Sequence, residues 1–456
     1  MARLIRARRD VGFPGRSGPF FLACFAALSA FASRPAFAGG FLNQIQSAGA
    51  AAVSTAGQTA IAEDATTVYY NAAGMTSLKR PEVSFTAPVI FLSSKFQNSG
   101  TTAGLGDPAH GSNGDKEQNF PIPSLFATLP LSDRITAGLG VFIPFGQSNT
   151  YSDDWVGRYQ LQRISLKTVD IDPAIAYRLT DSLSVGGGFD LQYAHIVRNN
   201  ALDLGALCIG TIGPGPCSGL GLGPQGADGR QRVTAADWSV GFNIGLLYTI
   251  GDTTHIGLNY RSAVRHDFSG TAVFQVPAAA MPLTAGGLFQ NTALHSPMTF
   301  PEVIAAGISH KFNDRFTLLA DLDWTGWSRL GQLKLDFANA AQPDQTLLLN
   351  WSDTIRFALG GIYQLSDQIG LRAGVSWDET PTSNTFRSAE LPDADEIMGS
   401  AGFSYRFNNH LSTPLSYSYG SYAAAPVNLS LFGAGTLAGT FRRSTNAVAL
   451  QARFEL

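Results

Sequence analysis

The sequence predicts an all-β protein, a transmembrane antiparallel β-barrel of about 14 strands with an N-terminal hatch inside its lumen. Three observations support this prediction: long stretches in which apolar and polar residues alternate, short polar turns that alternate with long loops, and a segment of small residues before the first strand. In Trp238–Ile250, for example, every second side chain is a large apolar one, and most residues between them are small or polar.

The length of the alternating stretches distinguishes a membrane barrel from a soluble β-sandwich. A period of two describes a strand with one apolar and one polar face. Sandwich strands are typically ~5–6 residues long, whereas a tilted strand needs ~9–11 residues to cross the hydrocarbon layer. Strands in lipid must also close into a barrel, because an open edge would leave backbone groups without partners. The charged fraction agrees, since it is 14% here and about a quarter in soluble proteins.

Residues 1–38 have the pattern of a secretory signal peptide. An arginine-rich start precedes the apolar stretch Phe20–Ala32, and Ala36–Ala38 fits the small-x-small cleavage pattern. The apolar stretch is too short for a spanning helix, which needs ~20 residues. Cleavage after Ala38 removes six Arg and one Asp, so the remaining chain has 25 basic and 33 acidic residues and a net charge of −8. A nucleic-acid partner is therefore not expected.

The next stretch, residues 39–80, is rich in Ala, Gly, Ser and Thr and shows neither a strand period nor a wide apolar helical stripe. Small residues can fill a confined space where bulky side chains would clash. We therefore predict that residues 39–80 form a hatch, or plug, inside the barrel, and that residues 81–456 form the barrel itself.

The connections within 81–456 give the strand number. Six short polar turns are predicted, at Ser132-Asp133, Thr180-Asp181, Gly251-Asp252, Asn313-Asp314, Ser366-Asp367 and Asn408-Asn409. Seven long loops alternate with these turns, at roughly 98–117, 147–165, 199–232, 273–296, 329–346, 379–395 and 422–443. These connections join 14 strands and put both termini on the periplasmic side.

Two cysteines, Cys208 and Cys217, flank the turn Gly213–Pro216. In an oxidising envelope we predict a disulfide between them, with two free thiols as the alternative. Motifs for metalloproteases, phosphate-binding loops and hydrolases do not occur. Gly221–Gly226 spells a dinucleotide-binding pattern, but it lies in a Gly/Pro loop without a predicted helix behind it. We therefore expect neither a cofactor nor an enzyme.

Several motifs resemble the bacterial long-chain fatty acid outer-membrane transporter family. They are Gly40-Phe41-Leu42, Ala62–Ala65, Tyr70–Met75, Asp321–Ser328 and Leu391–Asp395. The family usually has Asn-Pro-Ala in the hatch, where this chain has Asn71, Ala72 and Ala73. The resemblance implies a plugged 14-stranded barrel in the bacterial outer membrane.

The resemblance also implies a lateral opening at the third strand. In the family this strand bends inward at an aromatic-glycine pair, which matches Phe145-Gly146 here, directly after Pro144. The residues themselves allow this reading, because proline removes a ladder donor and glycine weakens pairing. The alternative is that the third strand simply ends at Ile143.

The resemblance implies ligand contacts from four residues. Phe41 and Leu42 would supply apolar contacts, and Arg198 matches a basic residue near the carboxylate of the family's fatty acids. A second family cation, a lysine, is replaced here by Ser352, so that either Arg356 substitutes for it or the ligand is uncharged. The alternative for both arginines is an ion pair with Asp or Glu in the lumen.

Two segments, Gln147–Ile164 and Asn199–Val233, are expected to form an extracellular groove for the ligand. The second is unusually apolar for an exposed loop, which suggests a hydrophobic ligand. Self-packing of this loop around the disulfide is the alternative.

The expected function is uptake of long-chain fatty acids or other hydrophobic compounds by passive diffusion through the plugged barrel and its lateral opening. A channel for aromatic hydrocarbons in the same family and a general porin are the alternatives, and a barrel lipase is a further one that the scattered His195, His255 and His310 do not favour. The expected partners are a hydrophobic small molecule and outer-membrane lipid, and the protein is expected to be a monomer.

Overall fold

A computed structural model describes residues 39–115 and 117–456. The predicted signal peptide, residues 1–38, lies outside the described residues. Among the described residues, no helix is both long and apolar enough to cross a membrane.

The described chain forms one closed antiparallel sheet. Fourteen strands follow one another around the ring, each paired with its neighbours in sequence, and the last strand pairs with the first from Glu82↔Glu455 to Asn98↔Gly439. The strands are β1 (Glu82–Asn98), β2 (Gln118–Pro121 and Ser124–Pro130), β3 (Ile135–Phe142 and Gly146–Thr150), β4 (Arg163–Arg178), β5 (Leu183–Asp203), β6 (Asp228–Ile250), β7 (Thr254–Arg261 and Val264–Gln275), β8 (Thr292–Phe300 and Val303–Lys311), β9 (Phe316–Thr325 and Gln332–Phe337), β10 (Gln345–Leu348 and Thr354–Gln364), β11 (Ile369–Asp378), β12 (Glu396–Arg406), β13 (Leu411–Tyr422 and Ala425–Leu431) and β14 (Gly435–Glu455). The predicted barrel and its strand number are confirmed.

The outer face of the ring is apolar and exposed. On β6 the outward side chains run from Trp238 to Ile250, and each is between 40% and 70% exposed. Their neighbours Asn243 and Leu247 point inward and are buried. An apolar belt of this kind is the surface that a transmembrane barrel presents to lipid.

The six short turns and the loop 379–395 lie where the sequence predicts them, but several other long connections are shorter than predicted. The predicted loop 422–443 is a hairpin, in which Ala425–Leu431 pairs with β14 from Ala425↔Phe441 to Leu431↔Gly435. The pairing continues beyond the apolar belt, and there the alternation has its apolar side turned inward, since Ala425 and Val427 are buried while Pro426 and Asn428 are exposed. The loop after β5 is also more regular than predicted, since it contains the helices Leu204–Ile212 and Pro214–Gly219.

The residues before β1, 39–80, are called the N-terminal segment below. They contain three single-turn helices, α1 (Ala48–Ala51), α2 (Gln58–Ile61) and α3 (Thr67–Tyr70), followed by the 3-10 helix Ala72–Ser77. The two loop helices are α4 (Leu204–Ile212) and α5 (Pro214–Gly219), and 3-10 turns occupy Ala278–Thr284 and Trp327–Arg329. Only small side chains allow so many short turns to pack within one ring.

The wall of the barrel is interrupted between β2 and β3. The last ladder pair between them is Leu125↔Val141. Beyond this pair, in the part of the chain that the structure describes, Gln118–Pro121 pairs with β1 and Gly146–Thr150 pairs with β4, but not with each other. Strand β3 therefore continues past Ile143 after a break, instead of ending there.

Candidate functional site

The N-terminal segment lies inside the ring of strands. Its residues are mostly buried, and its polar groups bond to strands on every side of the barrel. These bonds join Gln46 O to Ser124 Oγ on β2, Thr76 Oγ1 to Ser184 Oγ on β5, Asn71 Nδ2 to Leu246 O on β6, Gln58 N to Asp321 Oδ2 on β9, Ser54 Oγ to Ser400 Oγ on β12 and Ser47 Oγ to Gln451 Oε1 on β14. A segment that is bonded to opposite walls of a closed ring fills its bore.

Inward-facing glycines let the backbone of this segment approach the wall closely. A Cβ at Gly257 on β7 would stand 1.9 Å from Thr59 O, and one at Gly374 on β11 would stand 2.2 Å from Val53 O. A Cβ at Gly186 on β5 would stand 2.5 Å from the backbone of Ala72 and Ala73. Because backbone atoms cannot move aside as a flexible side chain can, these positions require glycine.

Asn71 organises the turn at which the family usually has proline. Its side chain accepts a hydrogen bond from Ala73 N (3.2 Å) and donates to Thr59 O (2.7 Å) and Leu246 O (2.9 Å). The amide thus caps the 3-10 helix that begins at Ala72 and ties it to β6. The turn is therefore held by a side-chain cap, without the fixed φ of a proline.

The candidate ligand site is a buried apolar cluster that surrounds Phe41. The Phe41 ring lies 4.8 Å from the Trp327 ring, 5.7 Å from the rings of Phe300 and Trp351, and 6.0 Å from the Phe145 ring, measured between centroids. The cluster extends outward through residues of β4, β5, β10 and the loop after β11. Phe41 thus occupies the centre of an apolar space that is large enough to bury a ring.

The same part of the N-terminal segment pairs with the broken stretch of β3. Gly146 N donates to Phe41 O (3.0 Å), Asn43 N donates to Pro144 O (2.7 Å), and Leu42 and Phe145 form an isolated antiparallel bridge. The side chains of Asn43 and Gln46 both donate to Ile143 O (2.9 Å each). The N-terminal segment therefore satisfies the backbone groups that the break in β3 leaves without strand partners, as a site at membrane depth requires.

The break in the β3 ladder includes Pro144 and Phe145, and the space at Gly146 does not itself require glycine. A Cβ at Gly146 would meet its nearest atom, Leu166 O, at 3.7 Å, which is an ordinary contact. Phe145 is held instead by β4, since its N donates to Thr168 Oγ1 (3.0 Å) and its O accepts from the same hydroxyl (2.6 Å). The break thus follows from the missing donor of Pro144 and from this local bond pattern.

Arg198 lies at the outer end of the apolar cluster and is paired with Glu390 of the loop after β11. Its Nη2 is 3.0 Å from Glu390 Oε1, and the two side chains are 11% and 5% exposed. Its remaining donors go to Gln160 O (2.7 Å) and Asn200 Oδ1 (2.8 Å). The alternative raised from the sequence, an ion pair within the barrel, is the arrangement that the structure shows.

Arg356 is also in an ion pair. Its Nη1 is 3.0 Å from Asp323 Oδ2 on β9, and its Nη2 donates to Ser54 O at 2.5 Å. The side chain is buried against the N-terminal segment. Arg356 thus holds the segment at β10. Sequence reasoning missed the acidic partners of both arginines and the rings of Phe300, Trp327 and Trp351.

The extracellular loop 204–227 packs largely on itself. A disulfide joins Cys208 and Cys217, and both cysteines lie in a buried cluster with Leu204, Leu222 and Ala280. Beside this cluster, the ends of the two segments expected to form a groove do line a cleft of about 500 Å³. The cleft is mixed in character, because Asp153, Asp228 and Arg230 line it together with Ala201, Val276 and Pro277, among others.

A second cavity, of about 320 Å³, lies at the short-turn end of the barrel. Ile61 and Glu63 of the N-terminal segment line it, together with Arg372 and Arg453 of the wall. Glu63 and Arg372 form a two-point ion pair, with distances of 2.5 and 2.8 Å. The cavity reaches the N-terminal segment from the side opposite to Phe41.

Asp393, in the loop 379–395 outside the spanning strands, holds the start of the N-terminal segment. Its Oδ2 accepts from Gly40 N (3.0 Å) and from Thr380 Oγ1 (2.9 Å), and Arg443 Nη1 is 3.5 Å from its Oδ1. Burial raises the pKa of Asp393 to about 7, and Arg443 and the two hydrogen bonds offset only part of this rise. This carboxyl therefore exchanges its proton near neutral pH.

We expect the difference in thermal stability between the variant Asp393→Asn and the unchanged protein to shift in favour of the variant as the pH rises. The unfolded carboxyl loses its proton near the ordinary pKa of 3.8, whereas the folded one keeps it up to about 7. Stability of the unchanged protein therefore falls between these pH values and is level above them, while asparagine has no such loss. Melting in detergent across this range measures the difference. Asp181→Asn, in an exposed turn, is the control, and a difference that stays constant with pH would contradict the expectation.

A closed barrel with an apolar belt outside and its own N-terminal segment in the bore has the architecture of an outer-membrane transport protein. The sequence profile described as "Outer membrane protein transport protein (OMPP1/FadL/TodX)" matches residues 29–456, and the chain belongs to this family. Family members are transporters of the outer membrane, which confirms the predicted class and location.

Individual proteins agree with this assignment. The chain is 28% identical to the long-chain fatty acid transport protein of Escherichia coli K12 over 88% of this chain and 92% of the relative. A FadL homologue from Pseudomonas aeruginosa has the same fold, with a TM-score of 0.84 and 22% identity over 91% of this chain and all of that one. The toluene transporter TbuX of Ralstonia pickettii gives a TM-score of 0.61 and 18% identity over 89% of this chain and 98% of that one.

Proposed function

We propose that the protein takes up hydrophobic compounds by passive diffusion through its apolar cluster and the break between β2 and β3. One observation carries the proposal. The stretch Phe41–Asn43 fills the cluster with the ring of Phe41 and, with its backbone, closes the break at Pro144 and Gly146. A ligand that displaces Phe41 therefore also releases the partners of the broken strand. Relatives are named for long-chain fatty acids and for toluene, and both are hydrophobic ligands of this kind.

The route proposed begins in the outer leaflet and at the extracellular cleft. The ligand enters the cluster, takes the place of Phe41 and leaves sideways through the opening at Pro144, Phe145 and Gly146. The driving force is the burial of apolar surface, about 0.8 kcal/mol for each methylene group. Because the apolar cluster buries the ligand's apolar surface, we expect that no energy source is required.

The parts of the chain take defined roles in this proposal. Residues 1–38 are a signal peptide that is removed, residues 39–80 act as the hatch, and residues 81–456 form the barrel. Asn71, Ala72 and Ala73 anchor the hatch to β5 and β6 through the close contacts described above. The exposed apolar belt contacts outer-membrane lipid, and the protein works as a monomer without catalysing a reaction.

Two other functions are less well supported. A general porin needs an open aqueous bore, whereas here the N-terminal segment bonds to opposite walls. A lipase needs a histidine next to an outward-facing nucleophile. His255 and His310 bond instead to Thr249 and Thr254, beside the short turns of β6 to β9.

The proposal is tested by ligand binding and ion conductance of the purified protein. Because Trp327 and Trp351 flank Phe41, dodecanol should change their fluorescence in a saturable manner as it displaces the ring. The variant Trp327→Phe/Trp351→Phe, which keeps the lipid-facing Trp238, should lose this signal. In planar bilayers the protein should conduct ions poorly. Steady high conductance without saturable binding would favour the porin, and lipid hydrolysis would favour the lipase.

A further inference from the structure

We propose that Glu390 makes the ligand site selective for uncharged compounds by neutralising Arg198. The inference rests on the proposed function, since it names the class of ligand that the same apolar site takes. Glu390 thus determines the specificity of the site through the guanidinium of Arg198, with which it forms an ion pair.

The ion pair lies at the wall of the apolar cluster. The neighbours of Glu390 in the chain, Ala389 and Leu391, both belong to the cluster, as does Ile196, two residues before Arg198 on β5. Two hydrogen bonds fix the loop in this position. Asn149 Nδ2 donates to Glu390 O at 2.7 Å, and Tyr151 Oη donates to Ala389 O at 3.0 Å. A ligand head group at the outer end of the cluster would therefore meet this pair.

Each nitrogen of the Arg198 guanidinium already donates to the protein, and these bonds use four of its five N–H groups. Its Nε and Nη2 are 3.2 and 3.0 Å from Glu390 Oε1, its Nη2 also donates to Gln160 O, and its Nη1 donates to Asn200 Oδ1. A carboxylate that binds Arg198 at two points would have to displace one of these acceptors and would then lie beside the negative charge of Glu390. Like charges at such a distance in a buried site repel strongly. An uncharged ligand need not displace an acceptor of Arg198 and is not repelled by Glu390.

The other arginines near the cluster are also engaged. Arg387 donates to Asp393 O and Pro426 O, which are backbone oxygens, and to Asn384 Oδ1. Arg443 lies 3.5 Å from Asp393 Oδ1 and over the ring of Tyr422. Both arginines thus also have partners within the protein, as a site for neutral compounds requires.

The test compares dodecanoate with dodecanol, which differ only in the head group, for binding to the purified full-length barrel at a pH at which dodecanoate is ionised. The unchanged protein should bind dodecanol more tightly. In Glu390→Gln, which keeps the shape of the side chain, Arg198 becomes an unbalanced cation. Dodecanoate affinity should then rise by about tenfold to a hundredfold, the range for one charge-assisted contact, while dodecanol affinity stays the same.

Three further variants make the result specific. Glu379→Gln removes the same charge from the same loop, where the carboxylate accepts from Ile355 N, and should change neither affinity. Arg198→Gln/Glu390→Gln should lose the gain in dodecanoate binding, which a merely structural part for Glu390 would not explain. Arg198→Gln alone leaves Glu390 as an unbalanced anion, so dodecanoate binding should weaken further, and it provides a reading even if Glu390→Gln folds poorly.

The outcomes separate the inference from the proposed function. Equal binding of both ligands by the unchanged protein, unchanged dodecanoate binding in a folded Glu390→Gln, or tighter dodecanoate binding in Arg198→Gln would overturn the selectivity of Glu390 but leave hydrophobic uptake standing. Binding of neither ligand by any variant would overturn the proposed function and the inference with it.

Discussion

A disulfide between Leu42→Cys and Phe145→Cys is expected to stop uptake, and a reductant should restore it. The two residues form an antiparallel bridge, and the flanking bonds from Gly146 N to Phe41 O and from Asn43 N to Pro144 O identify a non-hydrogen-bonded pair. Cα atoms in such pairs are about 4.5 Å apart, within the range of ~4.4–6.8 Å that a disulfide spans. The bond would lock the N-terminal segment against β3, so that a ligand could no longer displace it.

This experiment needs a background without the native disulfide, because the reductant would open it as well. Uptake of a fluorescent hydrophobic probe is therefore compared, oxidised and reduced, in a chain that carries Cys208→Ser and Cys217→Ser. Each single cysteine variant serves as a control for the loss of Leu42 or Phe145. Full uptake by the oxidised double variant would show that this contact does not open during transport.

Replacing Gly374 or Gly257 by valine is expected to open the barrel to ions. A Cβ at either position would come within about 2 Å of a backbone oxygen of the N-terminal segment, Val53 O or Thr59 O. The strands are held by two ladders each, whereas the segment is held mainly by single hydrogen bonds, so we expect the segment to move. Its displacement would leave a 14-stranded bore, which is wide enough for water and ions.

Single-channel conductance in planar bilayers measures this effect, after electrophoresis without heating has shown that the barrel is folded. Gly399→Val is the matched control, since a Cβ at Gly399 on β12 would meet no atom within 4 Å. Low conductance in a folded Gly374→Val barrel would mean that the segment adapts to the side chain and remains in place.

The sequence predicts the barrel well because the patterns that define its strands and turns each lie within a short stretch of the chain. Alternation over Trp238–Ile250 defines one strand and its two faces, and the six polar turns divide the chain into hairpins. Pairing of neighbours in sequence then leaves only one closed arrangement. The hairpin at 422–443 differs from the spanning strands because its apolar side, which includes Ala425 and Val427, faces inward while its outer side is polar, so that the sequence predicts a loop there.

The candidate site was predicted less completely, because its contacts join distant parts of the chain. Nothing near Arg198 in sequence indicates Glu390, which is 192 residues away. The sequence does contain signals for close backbone contacts and for a loop helix. Gly257 and Gly374 lie at inward positions of strands, where glycine indicates that another backbone approaches. Asp203 accepts from Ala206 N and so caps the helix Leu204–Ile212, a pattern that predicts a helix start.

The ring of Phe41 in the apolar cluster has a consequence for which molecules the protein accepts. On the proposed route it competes with the ligand, and an incoming molecule gains only the difference between its own burial and that of the phenyl group it displaces. Burying a phenylalanine side chain gives roughly 1.5–3 kcal/mol, so this amount sets a threshold. A molecule with less apolar surface than one benzene ring would then not displace Phe41. For a larger molecule, each further carbon atom would add its full burial free energy to binding.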